Sequence, residues 1–167
     1  MWKALLIVVA AIAMSKAIPA QAPEPPLGDT RLSVHTLLRE DVFAGFLQND
    51  LARLGRAERN AGALLASRPA ERAPILAWQG SIALTRAAQA YEAGRLDDFR
   101  GLHQRAQASF DEAMKLGPDT VGVFAIIGGS EATIADRLPA AERRAGRVLS
   151  TPVAVFAEIR SWKDVFR

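Results

Sequence analysis

From Val34 to Phe166 apolar side chains return every three or four residues, the interval at which side chains share one face of an α-helix. Nowhere do apolar and polar residues alternate over a sustained run, and no Val/Ile/Thr-rich stretch is bounded by turn residues on both sides; a strand needs one or the other. The expected class is therefore all-α. Val34, Leu37, Leu38, Val42, Phe43, Phe46 and Leu47 form the first stripe, which ends at the polar Gln48-Asn49-Asp50. Asp50 is placed to cap a second helix by accepting a bond from a free N–H of its first turn. That helix carries Leu51, Leu54, Ala57, Ala61, Leu64 and Leu65 and stops before Pro69. A third begins near Pro74, where a missing N–H is tolerated, and carries Ile75, Trp78, Ile82, Ala83 and Tyr91 to Gly94.

Asp97 or Asp98 is expected to cap a fourth helix with Phe99, Leu102, Ala106, Phe110, Ala113 and Leu116, ended by Gly117-Pro118. A fifth runs from Asp119 or Thr120 through Val123, Phe124, Ile127 and Ile134 to Leu138, and Pro139 opens a sixth with Ala141, Ala145, Val148 and Leu149. Thr151 and Pro152 open a seventh, with Val155, Phe156, Ile159, Trp162 and Phe166 on one side. Six to seven helices joined by short connections should lie antiparallel to their sequence neighbours. The aromatic residues Phe43, Phe46, Trp78, Tyr91, Phe110 and Phe124 fall on the apolar faces and are expected in the core.

The first 30 residues are of another kind. Met1-Trp2-Lys3 is a short basic start, Ala4 to Met14 an unbroken apolar run, and Ser15-Lys16-Ala17 offers small residues where a signal peptidase reads. Residues 1–17 are expected to be a cleaved export signal, which implies a periplasmic or secreted bacterial protein. Cleavage falls after Ala17 or Ala20, since Pro23 disfavours a cut after Ala22. The apolar run is about half of the ~20 residues that cross a bilayer as a helix, so no stable membrane span is expected after cleavage. Pro19 to Pro26 holds four prolines in eight residues and makes residues 18–30 an extended tether. Residues 31–167 form the helical domain.

With Lys3 and Lys16 removed, the 21 basic residues fall to 19 against 18 acidic ones, a net charge of +1. Arg and Glu are interspersed, and the small basic excess at Arg143, Arg144 and Arg147 reads as a solvated helix face. Nucleic acid is not an expected partner. There is no cysteine and only two histidines, His35 and His103, so thiol nucleophiles, thiolate metal sites and paired-histidine ligands on one helix face are excluded. No phosphate loop, nucleophile elbow or zinc-protease helix occurs. Ser130 follows two glycines but sits in a helical pattern. No catalytic residue, metal site or cofactor is expected, and the chain reads as non-enzymatic.

One corner recurs. The fourth helix reads Ala106-x3-Phe110-x2-Ala113-x4-Pro118 and the second Ala57-x3-Ala61-x2-Leu64-x4-Pro69, with the prolines 49 residues apart. After Pro118 come Phe124, Ile127 and Gly128. This order resembles the tetratricopeptide helix pair, a first helix with large, apolar and small packing residues and a second of Ala-x3-Phe-x2-Ala-x4-Pro. The match is best over residues 106–132 and looser over 50–69, with Trp78 and Gly80 a loose counterpart of the first-helix signature. The unit departs from the usual length of about 34 residues, as though the third and fourth helices had each gained about two turns. The stretches LREDVFAGFLQND and PDTVGVFAIIGGS are also similar to those of an exported bacterial helical-repeat family.

The resemblance implies a right-handed stack of antiparallel helix pairs, a tetratricopeptide-like solenoid. It implies a concave face that binds a protein partner, with Gly122, Ala125, Gly129, Ala132 and Thr133 on or beside it. The Lys and Asn array that would clamp a C-terminal carboxylate is lacking. Each interior glycine costs a helix about 1 kcal/mol relative to alanine, so the pair Gly128-Gly129 needs a reason. Either these small residues let the fourth, fifth and sixth helices pack closely, or they form a groove wall. A second function class stays open beside the protein scaffold, a carrier of a lipid or other apolar small molecule between helices. The final apolar stripe, with Trp162 and Phe166, folds back on the fifth and sixth helices, docks on another chain or self-associates, or belongs to a chain cut short.

Overall fold

The structure, a computed structural model, describes residues 23–117 and 120–142, all of whose regular elements are helical. Helix α1 (Val34–Leu47) opens where Ser33 Oγ accepts the Thr36 N–H at 3.2 Å. It ends beside Asn49, whose φ of 54° lies in the left-handed region that Asn tolerates better than most residues. Asp50 then caps α2 (Leu51–Ser67) as the sequence suggests, its Oδ1 accepting from the Ala52 and Arg53 N–H groups at 3.1 and 3.0 Å. A 3-10 turn at Pro69–Glu71 leads into α3 (Arg72–Glu92). Gly94, with φ 73°, closes α3: its N–H reaches Tyr91 O and the Arg95 N–H reaches Ala90 O, each at 2.9 Å, which satisfies carbonyls the helix would otherwise leave unpaired.

The start of α4 (Leu96–Leu116) differs from expectation. Neither Asp97 nor Asp98 caps it; both lie in its first turn, where Asp98 pairs back to Arg95 at 3.0 Å and Asp97 forward to Arg100 at 2.8 Å. There their charges favour the positive end of the helix dipole. Helix α5 (Val121–Ile134) is followed by 3-10 turns at Ala135–Arg137 and Ala140–Glu142. The fifth helix thus stops four residues short of Leu138. Five α-helices lie among the described residues; residues 1–17, expected as an export signal, and most of the expected sixth helix and the expected seventh, with Trp162 and Phe166, lie outside them.

Contacts fix the helix directions. Asp41 of α1 accepts from Arg56 Nε and Nη2 of α2 at 2.6 Å each and from Arg53 Nε at 2.8 Å, and Gly45 lies against Leu54, so α1 and α2 are antiparallel. Arg86 of α3 pairs with Glu58 of α2 at 2.8 Å. Gly80 of α3 packs on the Phe110 ring of α4, and Gly117, just past α4, lies beside Ala73 near the start of α3; these helices are antiparallel as well. By contrast α3 and α5 run the same way, joined by the Ser81–Ser130 hydroxyl pair at 2.6 Å and by Arg137 on Glu92 at 2.6 and 2.8 Å. Helix α1 follows α3 too, with Val34 near Glu71 at one end and Asn49 bonded to Gln89 at the other. The core on α3 includes the almost wholly buried Ile75, Trp78 and Leu84, joined by Leu38, Leu54, Leu64, Phe110 and Ile127; each such side chain contributes roughly 1.5–3 kcal/mol.

Arg68 holds the chain that enters α1. Its guanidinium donates to the carbonyls of Leu27 and Asp29 at 2.8 Å and of Leu32 at 2.7 Å, while Leu27 and Leu32 rest on the core. Residues 27–32 are therefore fastened to the end of α2.

Candidate functional site

Helices α1, α3 and α5 lie side by side, and the space between them is not filled. A half-open cleft of about 470 Å³ remains. Trp78 of α3 is its most buried aromatic ring at 2% exposure. The His35 ring lies 5.3 Å from it and the Phe43 ring 6.2 Å, nearly edge-on. Pro74 of α3 and Val123 and Ile126 of α5 extend the apolar lining, and Ser33, Glu71 and Thr120 also border the space.

The wall contributed by α5 is small. Gly122, Ala125, Gly129 and Thr133, spaced three and four residues apart, all line the cleft, and all are exposed. Ala132 is exposed as well but lies outside the lining. A methyl group built on Gly122 or Gly129 would meet nothing within 4 Å. Among the described residues, packing does not require glycine at either place. Gly128, its neighbour in sequence, is buried, so the two glycines of the pair lie in different surroundings.

The cleft is electrically quiet. Burial and the neighbouring Arg39 guanidinium hold the His35 imidazole below its usual pKa, so it is neutral at pH 7. Glu71 is engaged by Arg68 at 3.3 Å and by the Val34 N–H at 3.4 Å. The Ser130 hydroxyl is committed as well. Ser81 reaches Ala77 O at 2.9 Å, Ser130 reaches Ile126 O at 2.6 Å, and the two oxygens are 2.6 Å apart. Two hydroxyl protons serve these three contacts, so one serine donates to the other and the pair ties α3 to α5. The Trp78 indole N–H has no exposed surface and finds no acceptor. Among the described residues no group of three His, Cys, Asp or Glu could hold a metal, and no described helix is long and apolar enough to cross a membrane.

Phe43 and Tyr91, expected in the core, are 42% and 38% exposed. Phe43 belongs to the cleft. Its signal was the breadth of the first stripe, seven apolar residues in fourteen, wider than one neighbouring helix covers. His35 and Pro74 carried no comparable signal, because only the approach of α1 to α3 brings them together. Among known proteins, the chain matches no family model, no curated protein and no solved structure.

Proposed function

We propose that this protein is a non-catalytic binding module whose cleft takes an amphipathic helical segment of another protein, led by one bulky apolar side chain. The carrying observation is that Gly122 and Gly129 line an apolar cleft with open space above both α-carbons. A helix keeps such residues at a cost of about 1 kcal/mol each; room for a second backbone is the gain that offsets it. The lining bears no free charge, since Glu71 is engaged, and this suits an uncharged partner face. The proposed architecture is an elongated tetratricopeptide-like stack with the cleft on its concave side. It is supported by the Ser81–Ser130 contact, which spans 49 residues, the interval between Pro69 and Pro118. Export to the periplasm or beyond is part of the same proposal and rests on residues 1–17. The volume also lies in the range of about 300–1,000 Å³ typical of small-molecule sites, so an apolar ligand such as a lipid is the second reading.

A photocrosslinking amino acid at Ala125 of the full-length protein, in its own cells, separates the two. The account expects an adduct that maps to one polypeptide segment with apolar residues at helical spacing and that disappears with Gly129→Leu. A lipid-sized adduct favours the second reading. An adduct that survives Gly129→Leu, or that forms equally at Gly62, where added side chains also meet open space, contradicts both.

A further inference from the structure

Of the described residues that line the cleft, Glu71 alone is acidic. Glu71, Pro74 and Trp78 follow one another at intervals of three and four residues, and all three border the same space. The Glu71 side chain is 39% exposed, so it is open to a molecule lying in the cleft. A carboxylate has about four acceptor sites on its two oxygens. The Val34 N–H takes one on Oε2 at 3.4 Å and Arg68 Nη1 one on Oε1 at 3.3 Å, both longer than the usual bond of about 2.9 Å. Acceptor capacity therefore remains on each oxygen. The charge, by contrast, is already balanced, because Arg68 is fixed in place by three backbone carbonyls. A second cation there would be repelled by Arg68 and an anion by Glu71, which leaves a neutral N–H donor as the electrostatic complement. The walls beyond Glu71 suit a flat ring: the His35 and Phe43 rings lie 5.3 and 6.2 Å from Trp78, and α5 opposes them with Gly122 and Gly129 under open space. We propose that the cleft selects an aromatic anchor bearing a neutral ring N–H, the chemistry of an indole: the ring fills the space between the aromatic wall and the glycine wall, and its N–H donates to the Glu71 carboxylate.

This specificity rests on the cleft being a binding site, and it goes further in naming the chemistry of what binds. In a partner helix the anchor is a tryptophan side chain. A phenylalanine fills the space without using the free acceptor sites, and an acidic side chain meets a like charge. Glu71 is then a specificity residue for the anchor.

Two small probes isolate the effect, 3-methylindole and 3-methylbenzothiophene, which have nearly the same outline and differ in the ring N–H. Both are titrated into the full-length protein and followed by nuclear magnetic resonance, and both should shift the methyl signals of Val123 and Ile126. In the native chain the N–H proton of bound 3-methylindole should show a nuclear Overhauser contact with the Glu71 γ-protons, a readout that needs no variant. In Glu71→Met, which keeps the length of the side chain and removes the acceptor, the affinity of 3-methylindole relative to that of 3-methylbenzothiophene should fall about three- to tenfold, as loss of one hydrogen bond allows. Taking the ratio cancels any general loosening of the cleft by the substitution. A ratio that does not fall, or methyl signals that shift in the native chain with no contact between the N–H and Glu71, overturns the inference and leaves the cleft standing as a site. If neither probe moves the methyl signals, the cleft reading falls with it.

Discussion

Gly80 and Gly129 are both interior helix glycines, and their neighbours give them opposite roles. A Cβ at Gly80 would run into the Phe110 ring and come within 3.1 Å of the Ala106 carbonyl. Gly80→Ala should therefore destabilise the fold by about 1–3 kcal/mol, the usual cost of overpacking, read from urea unfolding of the full chain. Asp41 is a residue of the same consequence. Burial pushes its carboxyl pKa up, but bonds from Arg56 and Arg53 more than offset this and leave it below the ordinary value. Asp41→Ala removes the carboxylate that takes two bonds from Arg56, whose side chain is 3% exposed, and one from Arg53, and should cost about 3–5 kcal/mol. Because the folded pKa is depressed, Asp41 contributes stability above the ordinary carboxylate range and loses it as pH falls through the folded value. Acid should unfold the native chain more steeply than Asp41→Asn. His35 is depressed too, so its imidazole should titrate below about 6.5, the value of a free histidine. A proton titration of its ring signals checks this, and a midpoint above that value would mean that a neighbouring negative charge dominates.

At the level of the elements, the helix boundaries were largely legible because they are set locally. Asp50 caps α2 and Gly94 ends α3 in the left-handed region, both from chemistry within a few residues. Asp97 and Asp98 are first-turn carboxylates and not caps; the two look alike in sequence, and here Arg95 and Arg100 take both side chains. The third and fourth helices have 21 residues each, against 14 in α1 and α5 and 17 in α2. The fastening by Arg68 could not have been foreseen, since the carbonyls it holds lie 36 to 41 residues away. Arg68→Met should release residues 27–32, with faster amide exchange there while α3 and α4 keep their protection.

Across the molecule, the all-helical class followed from periodicity, whereas the cleft depends on how far apart α1, α3 and α5 stand. Gly122, Ala125, Gly129 and Thr133 stand out in the sequence only through a family pattern. No such pattern marks His35, Phe43 and Trp78 for the cleft, which they line from α1 and α3. What separates a groove wall from a packing surface is whether Gly129 has a neighbour. The unfolding free energy of Gly129→Ala in the full-length chain measures this directly. The account predicts a rise of about 0.5–1 kcal/mol, the helix preference of alanine with nothing in its way. A fall would mean that Gly129 is pressed against another part of the chain, and that the space assigned to a partner is already filled.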